Sequence, residues 1–146
     1  MYENTINKEM VLESDPYSIF LFGIRSPKTK EKLIGRFEMF LNFLDLPREK
    51  GSLQERCNYL VQEIKKREKE NNTSWISHKV ISYLQYQKER VEKHEITAGT
   101  LKNYCNAIKL FLEMNEIESY LQDMKRRMRT ISVLYNWLIV LLFIGG

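Results

Sequence analysis

The sequence predicts an all-α fold, a small bundle of about five helices followed by an apolar C-terminal tail. Apolar residues recur at the three- and four-residue spacing that places them on one side of a helix. Proline, glycine and hydroxyl side chains stand where these periodic stretches begin and end. No stretch of the sequence shows the two-residue alternation of a half-buried strand. Together these three observations predict helices alone.

The first predicted helix begins at Asp15-Pro16, because aspartate is a good N-cap and proline suits the first helical position. The residues from Tyr17 to Phe22 are strongly apolar and end near Gly23. We therefore expect this short helix to be buried against the rest of the fold. Residues 1–14 are polar and weakly patterned, which predicts a flexible N-terminal arm.

The second and fifth predicted helices repeat one pattern about seventy residues apart. Ser26-Pro-Lys-Thr29 begins the first copy and Thr97-Ala-Gly-Thr100 begins the second. Each start supplies a hydroxyl group that can cap the free N–H groups of a first helical turn. An apolar stripe follows at the same offsets in both copies, with Leu33, Ile34, Phe37, Phe40 and Leu41 in the first and Tyr104, Cys105, Ile108, Phe111 and Leu112 in the second.

Proline and capping residues predict the bounds of the middle helices. The second helix runs from about Pro27 to Leu44, because Pro47 disfavours the helical conformation in the residue before it. The third runs from a capping box, Ser52 with Glu55, to about Glu70. The fourth begins at about Ser74, and its apolar side carries Ile76, Val80, Leu84 and Val91, widened by Trp75 and Tyr83.

Charge and cysteine content narrow the functional class. The formal net charge is +4 and the sequence pI is near 9.0, which favours polyanionic partners without singling one out. Cys57 and Cys105 fall at apolar helical positions, which predicts reduced core residues and no disulfide. His78 and His94 are isolated, so we expect neither a metal site nor a cofactor. No signal-peptide pattern stands at the N-terminus, and we expect a cytoplasmic protein.

The repeat has a counterpart in a known family. The order hydroxyl, two residues, threonine, then a stripe ending in Phe-Leu resembles the paired helices of the N-terminal core-binding domain of tyrosine recombinases, the phage-type integrases. Two segments, Val80 to Arg90 and Glu95 to Asn115, are similar to archaeal integrases of that family. The resemblance covers residues 15–117. It implies a sterile-alpha-motif-like helical domain that grips double-stranded DNA.

The resemblance implies no catalysis by this chain. Tyrosine recombinases cut DNA with groups of a second, C-terminal domain, and only 29 residues follow Ile117. The family's His-x-x-Arg pairing is also missing, because Ile81 and Thr97 stand where an arginine would follow His78 and His94. None of the tyrosines lies in a motif that would support it as a nucleophile. We therefore expect a DNA-binding protein that is not an enzyme.

DNA contacts of such a domain fall largely on phosphates, which favour donors and positive charge at helix starts and along one helix face. Asn103 could also make a bidentate contact with adenine. Glu89, Glu92 and Glu95 are interleaved with a second basic group, so ion pairing within the helix is the alternative for that group. The predicted DNA-binding residues are Lys28, Thr29, Lys32 and Arg36 on the second helix, Lys88 and Arg90 on the fourth, and Thr100, Lys102, Asn103 and Lys109 on the fifth.

The tail, residues 118–146, departs from the family. A basic cluster, Lys125 to Arg129, precedes an apolar run from 131 to 144 where full-length members have a linker and a catalytic domain. We hypothesise a premature end or a frame change. As a helix the run would span ~21 Å, against ~30 Å for the hydrocarbon core of a membrane. A small membrane-associated protein with a short C-terminal anchor is the alternative, and pairing with an intact integrase is a further possibility.

Overall fold

A computed structural model describes residues 15–44, 46 and 51–117. The predicted N-terminal arm and the predicted C-terminal tail lie outside the described residues. Within them the chain forms helices and no strand, so the predicted all-α bundle is confirmed. All five helices begin within about two residues of their predicted starts, and the first three also end within about two residues of their predicted ends. They are α1 (Pro16–Phe22), α2 (Pro27–Leu44), α3 (Leu53–Lys69), α4 (Trp75–Glu92) and α5 (Ala98–Met114).

Side-chain caps start three of the helices as the sequence predicts. The side chains of Asp15, Ser52 and Thr97 each accept a hydrogen bond from the backbone N–H three residues further on. At the start of α2 the contact is different. The carbonyl oxygen of Ser26 accepts from both the N–H and the hydroxyl group of Thr29, at 3.2 and 3.1 Å. Either arrangement satisfies donors that a helix leaves free in its first turn.

The two repeated stripes face each other across the core, because α2 packs along α5. The rings of Phe37 and Phe111 stack with centroids 4.1 Å apart, and Phe20 of α1 lies 5.2 and 5.5 Å from them. All five stripe positions of α5 are buried, whereas Leu33 and Ile34 of α2 are only half-buried. The repeat in the sequence therefore corresponds to the central helix pair of the bundle.

Helix α1 is buried on one side only. Phe20 is fully enclosed, but Phe22 is 68% exposed. A helix of seven residues makes two turns, and its contacts with α3 and α5 reach only part of its circumference. The helix is thus buried against the rest of the fold, as expected, on the side that carries Phe20, and Phe22 lies on its exposed side.

Polar contacts connect α3 to its neighbours. Arg56 of α3 is buried, donates through Nη2 to the side-chain oxygen Oδ1 of Asn42 at 2.6 Å, and lies 3.8 Å from the Glu38 carboxylate. Gln54 donates to the Asp15 carboxylate at 2.6 Å. Burial raises the pKa of Asp15, but hydrogen bonds from Ser18, Gln54 and the backbone outweigh burial and lower that pKa overall. These hydrogen bonds therefore stabilise the charged form of Asp15 at the junction of α1 and α3.

Both cysteines are free and buried, in agreement with the sequence-based prediction. Burial raises the pKa of the Cys57 thiol and of the Cys105 thiol to about 12. Each behaves as a small apolar side chain of the core. The predicted apolar side of α4 is also confirmed, since Ile76, Val80 and Leu84 are buried.

Candidate nucleic-acid interface

Three predicted cations form a row on the outward side of α2. Lys28, Lys32 and Arg36 follow one another at intervals of four residues, which places them on the same helix face. The two lysines are exposed and Arg36 is half-buried. None of the three forms an ion pair with another described residue. We call these three residues the α2 basic row, and its charge is available to an anion from solvent.

Thr29 and Thr100 lie in first helical turns, as predicted, but their hydroxyl groups already have partners. The Thr29 hydroxyl donates to the Ser26 carbonyl oxygen at 3.1 Å. The hydroxyl of Thr100 shares a hydrogen bond of 3.0 Å with that of Thr97, and its N–H donates to the same Thr97 oxygen. These contacts stabilise the helix starts, and a phosphate that approached either threonine would compete with them.

The predicted residues of α5 divide between two sides of that helix. Lys102 and Lys109 are seven residues apart and share one side, whereas Thr100 and Asn103 are three apart and share another. Lys102 is exposed and the other three are half-buried. Since neighbouring residues differ by about 100° around a helix, Lys102 and Asn103 point in different directions. The structure therefore does not bring the α5 residues onto a single face.

The basic group of α4 is paired with glutamates, as the alternative interpretation of the sequence predicts. Lys88 Nζ lies 3.7 Å from the Glu92 carboxylate, and Arg90 Nε lies 3.4 Å from the Glu95 carboxylate. Arg90 also donates through Nη1 to the Gln87 side-chain oxygen at 3.0 Å. Exposed pairs of this kind contribute at most about 1 kcal/mol, so an anion could replace either partner. The net charge of this group is nevertheless lower than that of the α2 basic row.

Sequence reasoning missed a group of exposed apolar side chains beyond the α2 basic row. Met39 and Phe43 continue the row along the same face of α2, and Tyr86 of α4 stacks against Phe43 with ring centroids 5.8 Å apart. These three residues border a cleft of about 350 Å³ between α2 and α4. The sequence did carry a signal for Phe43, because it lies seven residues, or about two helical turns, beyond Arg36. That spacing places this apolar residue on the same face as the α2 basic row.

Polar groups complete the cleft. Its lining includes Asn42, Gln87 and Arg90, and the buried Tyr83. The Tyr83 hydroxyl is buried and has no well-formed hydrogen bond to another described residue. Burial raises the pKa of Tyr83, and the nearby Gln87 side chain opposes that rise only in part. The hydroxyl therefore stays protonated at neutral pH and lies enclosed beside the Gln87 side chain.

Comparison of the chain with protein-family models, with curated proteins and with solved structures finds no match. In the described ranges, no helix is both long enough and apolar enough to cross a membrane. The run from 131 to 144 lies outside those ranges. The same part of the chain holds no cluster of three or more histidine, cysteine, aspartate or glutamate side chains that could bind a metal ion.

Proposed function

We propose that this helical bundle binds double-stranded DNA through the outward face of α2, as the non-catalytic core-binding domain of a tyrosine recombinase. The observation that carries the proposal is the α2 basic row, three cations on one face with no ion-pair partner among the described residues. Phosphates are spaced along a duplex, and a straight row of cations on a rigid helix matches such a ligand. The choice of family in this proposal rests on the resemblance of the two repeated helices to the core-binding domain of tyrosine recombinases.

The surrounding structure supports a rigid DNA-binding face. Helix α2 is held from behind by the stacking of Phe37 on Phe111 and from one side by Arg56 of α3. The basic row therefore projects from a helix whose position is set by the core. Lys102 and Lys109 of α5 add positive charge from a second helix, and only Lys102 is exposed. We expect them to strengthen binding less than the α2 basic row does.

A salt titration tests the proposal quantitatively. Each phosphate contact contributes about 0.9 to the slope of log affinity against log salt concentration, so removing three contacts should flatten that slope by roughly 2.7. The test variant carries Lys28→Gln, Lys32→Gln and Arg36→Gln. Binding of a random-sequence duplex is measured by fluorescence anisotropy at graded salt concentrations, and circular dichroism checks that the variant keeps its helices.

A matched control variant distinguishes binding through the α2 face from a general effect of the protein's net charge. Lys65, Lys66 and Lys69 are exposed and lie on a different helix, α3. Changing all three to glutamine removes the same positive charge. The proposal expects the α2 variant to lose most of the affinity and the α3 variant to keep it. Equal losses in the two variants, or no binding by the wild type at low salt, would contradict the proposal.

A further inference from the structure

The cleft between α2 and α4 has an aromatic border whose geometry is set by the core. Phe43 is 37% and Tyr86 is 48% exposed, and their planes are inclined by only 28°. Phe43 also meets the buried ring of Tyr83 edge-on at 5.1 Å, and Tyr83 in turn packs against Phe40 at 5.2 Å. Phe43 is thus held at the surface from beneath by Tyr83, Tyr86 stacks on Phe43, and both rings are partly exposed to a planar ligand.

Two polar side chains that line the cleft, Gln87 and Tyr83, lie beneath its surface. Gln87 is 1% exposed, and its side-chain oxygen already accepts from Arg90 at 3.0 Å. The Tyr83 hydroxyl is a buried donor without a well-formed partner. Because both groups are enclosed, binding of a ligand depends on the exposed aromatic surface of the cleft and not on this hydroxyl.

The positive charge of the α2 basic row favours an anionic ligand. The α2 basic row leads along the same helix face to the cleft, and the seven residues from Arg36 to Phe43 correspond to about 10 Å along the helix axis. Arg90, which is paired with Glu95, also borders the cleft. An anionic chain bound on the row would therefore carry its next groups to the aromatic pair. A strand of DNA has phosphates that would lie on the cations and planar bases that would reach the aromatic rings.

We propose that the cleft binds one unpaired base of DNA, stacked on Tyr86 beside Phe43, while the adjoining backbone lies on the α2 basic row. The inference rests on the proposed DNA-binding function and adds a preference for duplexes with an unpaired base. The volume of about 350 Å³ is at the small end of ligand sites, which suits a single base. Stacking on aromatic rings accepts every base, so we expect little sequence preference at this position.

The test compares a duplex that contains one bulged base with the same duplex fully paired, using the full chain and fluorescence anisotropy. We expect the wild type to bind the bulged duplex about tenfold more tightly, as expected for one base stacked on an aromatic side chain. Tyr86→Ala should remove this preference and leave affinity for the paired duplex unchanged. Tyr86→Phe keeps the ring and should retain the preference. Phe22→Ala removes a more exposed aromatic ring, on α1, and should have no effect on either duplex.

The outcomes distinguish the inference from the function on which it rests. If the wild type binds both duplexes equally, or if Tyr86→Ala keeps the preference, the base-binding cleft is wrong and duplex binding through the α2 basic row stands. If the wild type binds neither duplex, both proposals fail. If Tyr86→Ala leaves DNA binding unchanged but abolishes concentration-dependent self-association in sedimentation, the cleft is a protein interface and the inference is overturned.

Discussion

Two glycines show how single residues depend on their surroundings. Gly23 ends α1 with φ of −76°, so its backbone does not need the left-handed conformation that often requires glycine. It needs space, because a Cβ atom there would lie 2.6 Å from Met114 Cγ. Gly35 is in the middle of α2, and a Cβ atom there would meet nothing within 4 Å. The same substitution should therefore have opposite effects at the two sites.

Gly35→Ala should raise the free energy of unfolding by about 0.5–1 kcal/mol, because alanine has the higher helix propensity and restricts the unfolded chain more. Gly23→Ala should lower it by about 1 kcal/mol or more, since the Met114 side chain has to move out of a packed position. Urea unfolding followed by circular dichroism measures both. A destabilised Gly35→Ala variant would contradict the environment described for α2.

At the scale of the element, α3, α4 and α5 share one C-terminal geometry. The second residue after each helix, Asn71, His94 or Glu116, has a φ close to +60°. The N–H of the next residue donates to the carbonyl oxygen five residues back, at 2.7–2.9 Å. This is the Schellman motif, in which glycine is usual because other residues are strained in the left-handed region. None of the three helices uses glycine there.

His94→Gly should therefore stabilise the protein by about 1 kcal/mol, since it relieves a left-handed backbone at a residue with a Cβ atom. Asn71→Gly should gain less, because asparagine tolerates this conformation. His94→Ala keeps the strain and serves as the control for loss of the imidazole. Thermal unfolding curves of the three variants give the comparison, and an equal gain from His94→Ala would show that the histidine side chain, not its backbone, is unfavourable.

At the scale of the whole molecule, stability depends on the junction of α1, α2 and α5. Phe20, Phe37 and Phe111 come from these three helices and are nearly or fully buried. Their ring centroids lie 4.1–5.5 Å apart, so each ring contacts the other two. Cavities in such a cluster are costly, because the neighbouring helices can close them only in part.

Phe111→Ala should reduce the free energy of unfolding by about 3–5 kcal/mol, a large fraction of the ~5–15 kcal/mol typical of a domain. Phe22→Ala, which removes an exposed ring, should change it by less than about 0.5 kcal/mol. The rate of thiol labelling at neutral pH measures the difference in stability between the two variants. Cys57 and Cys105 are buried with pKa values of about 12, so both react only after the bundle opens. Equal labelling rates in the two variants would contradict this account of the core.

Helix positions and caps could be predicted because they depend on neighbours in the sequence. The N-cap contacts of Asp15, Ser52 and Thr97 each join residues three apart. Periodicity likewise placed the α2 basic row on one face, since that placement requires only a regular helix. The C-terminal ends of α3, α4 and α5 carry no glycine signal, but their positions follow from where the apolar periodicity stops.

Tertiary structure alone decided the features that join distant parts of the chain. The need for glycine at position 23 comes from Met114, and the burial of Arg56 comes from Asn42 and Glu38. The cleft exists because Phe43 of α2 meets Tyr86 of α4. A periodic pattern states which side of a helix is apolar, but not which helix covers it or how much of that side is left uncovered. Those outcomes depend on the packing of whole helices, since close packing is a property of facing surfaces and not of any local segment.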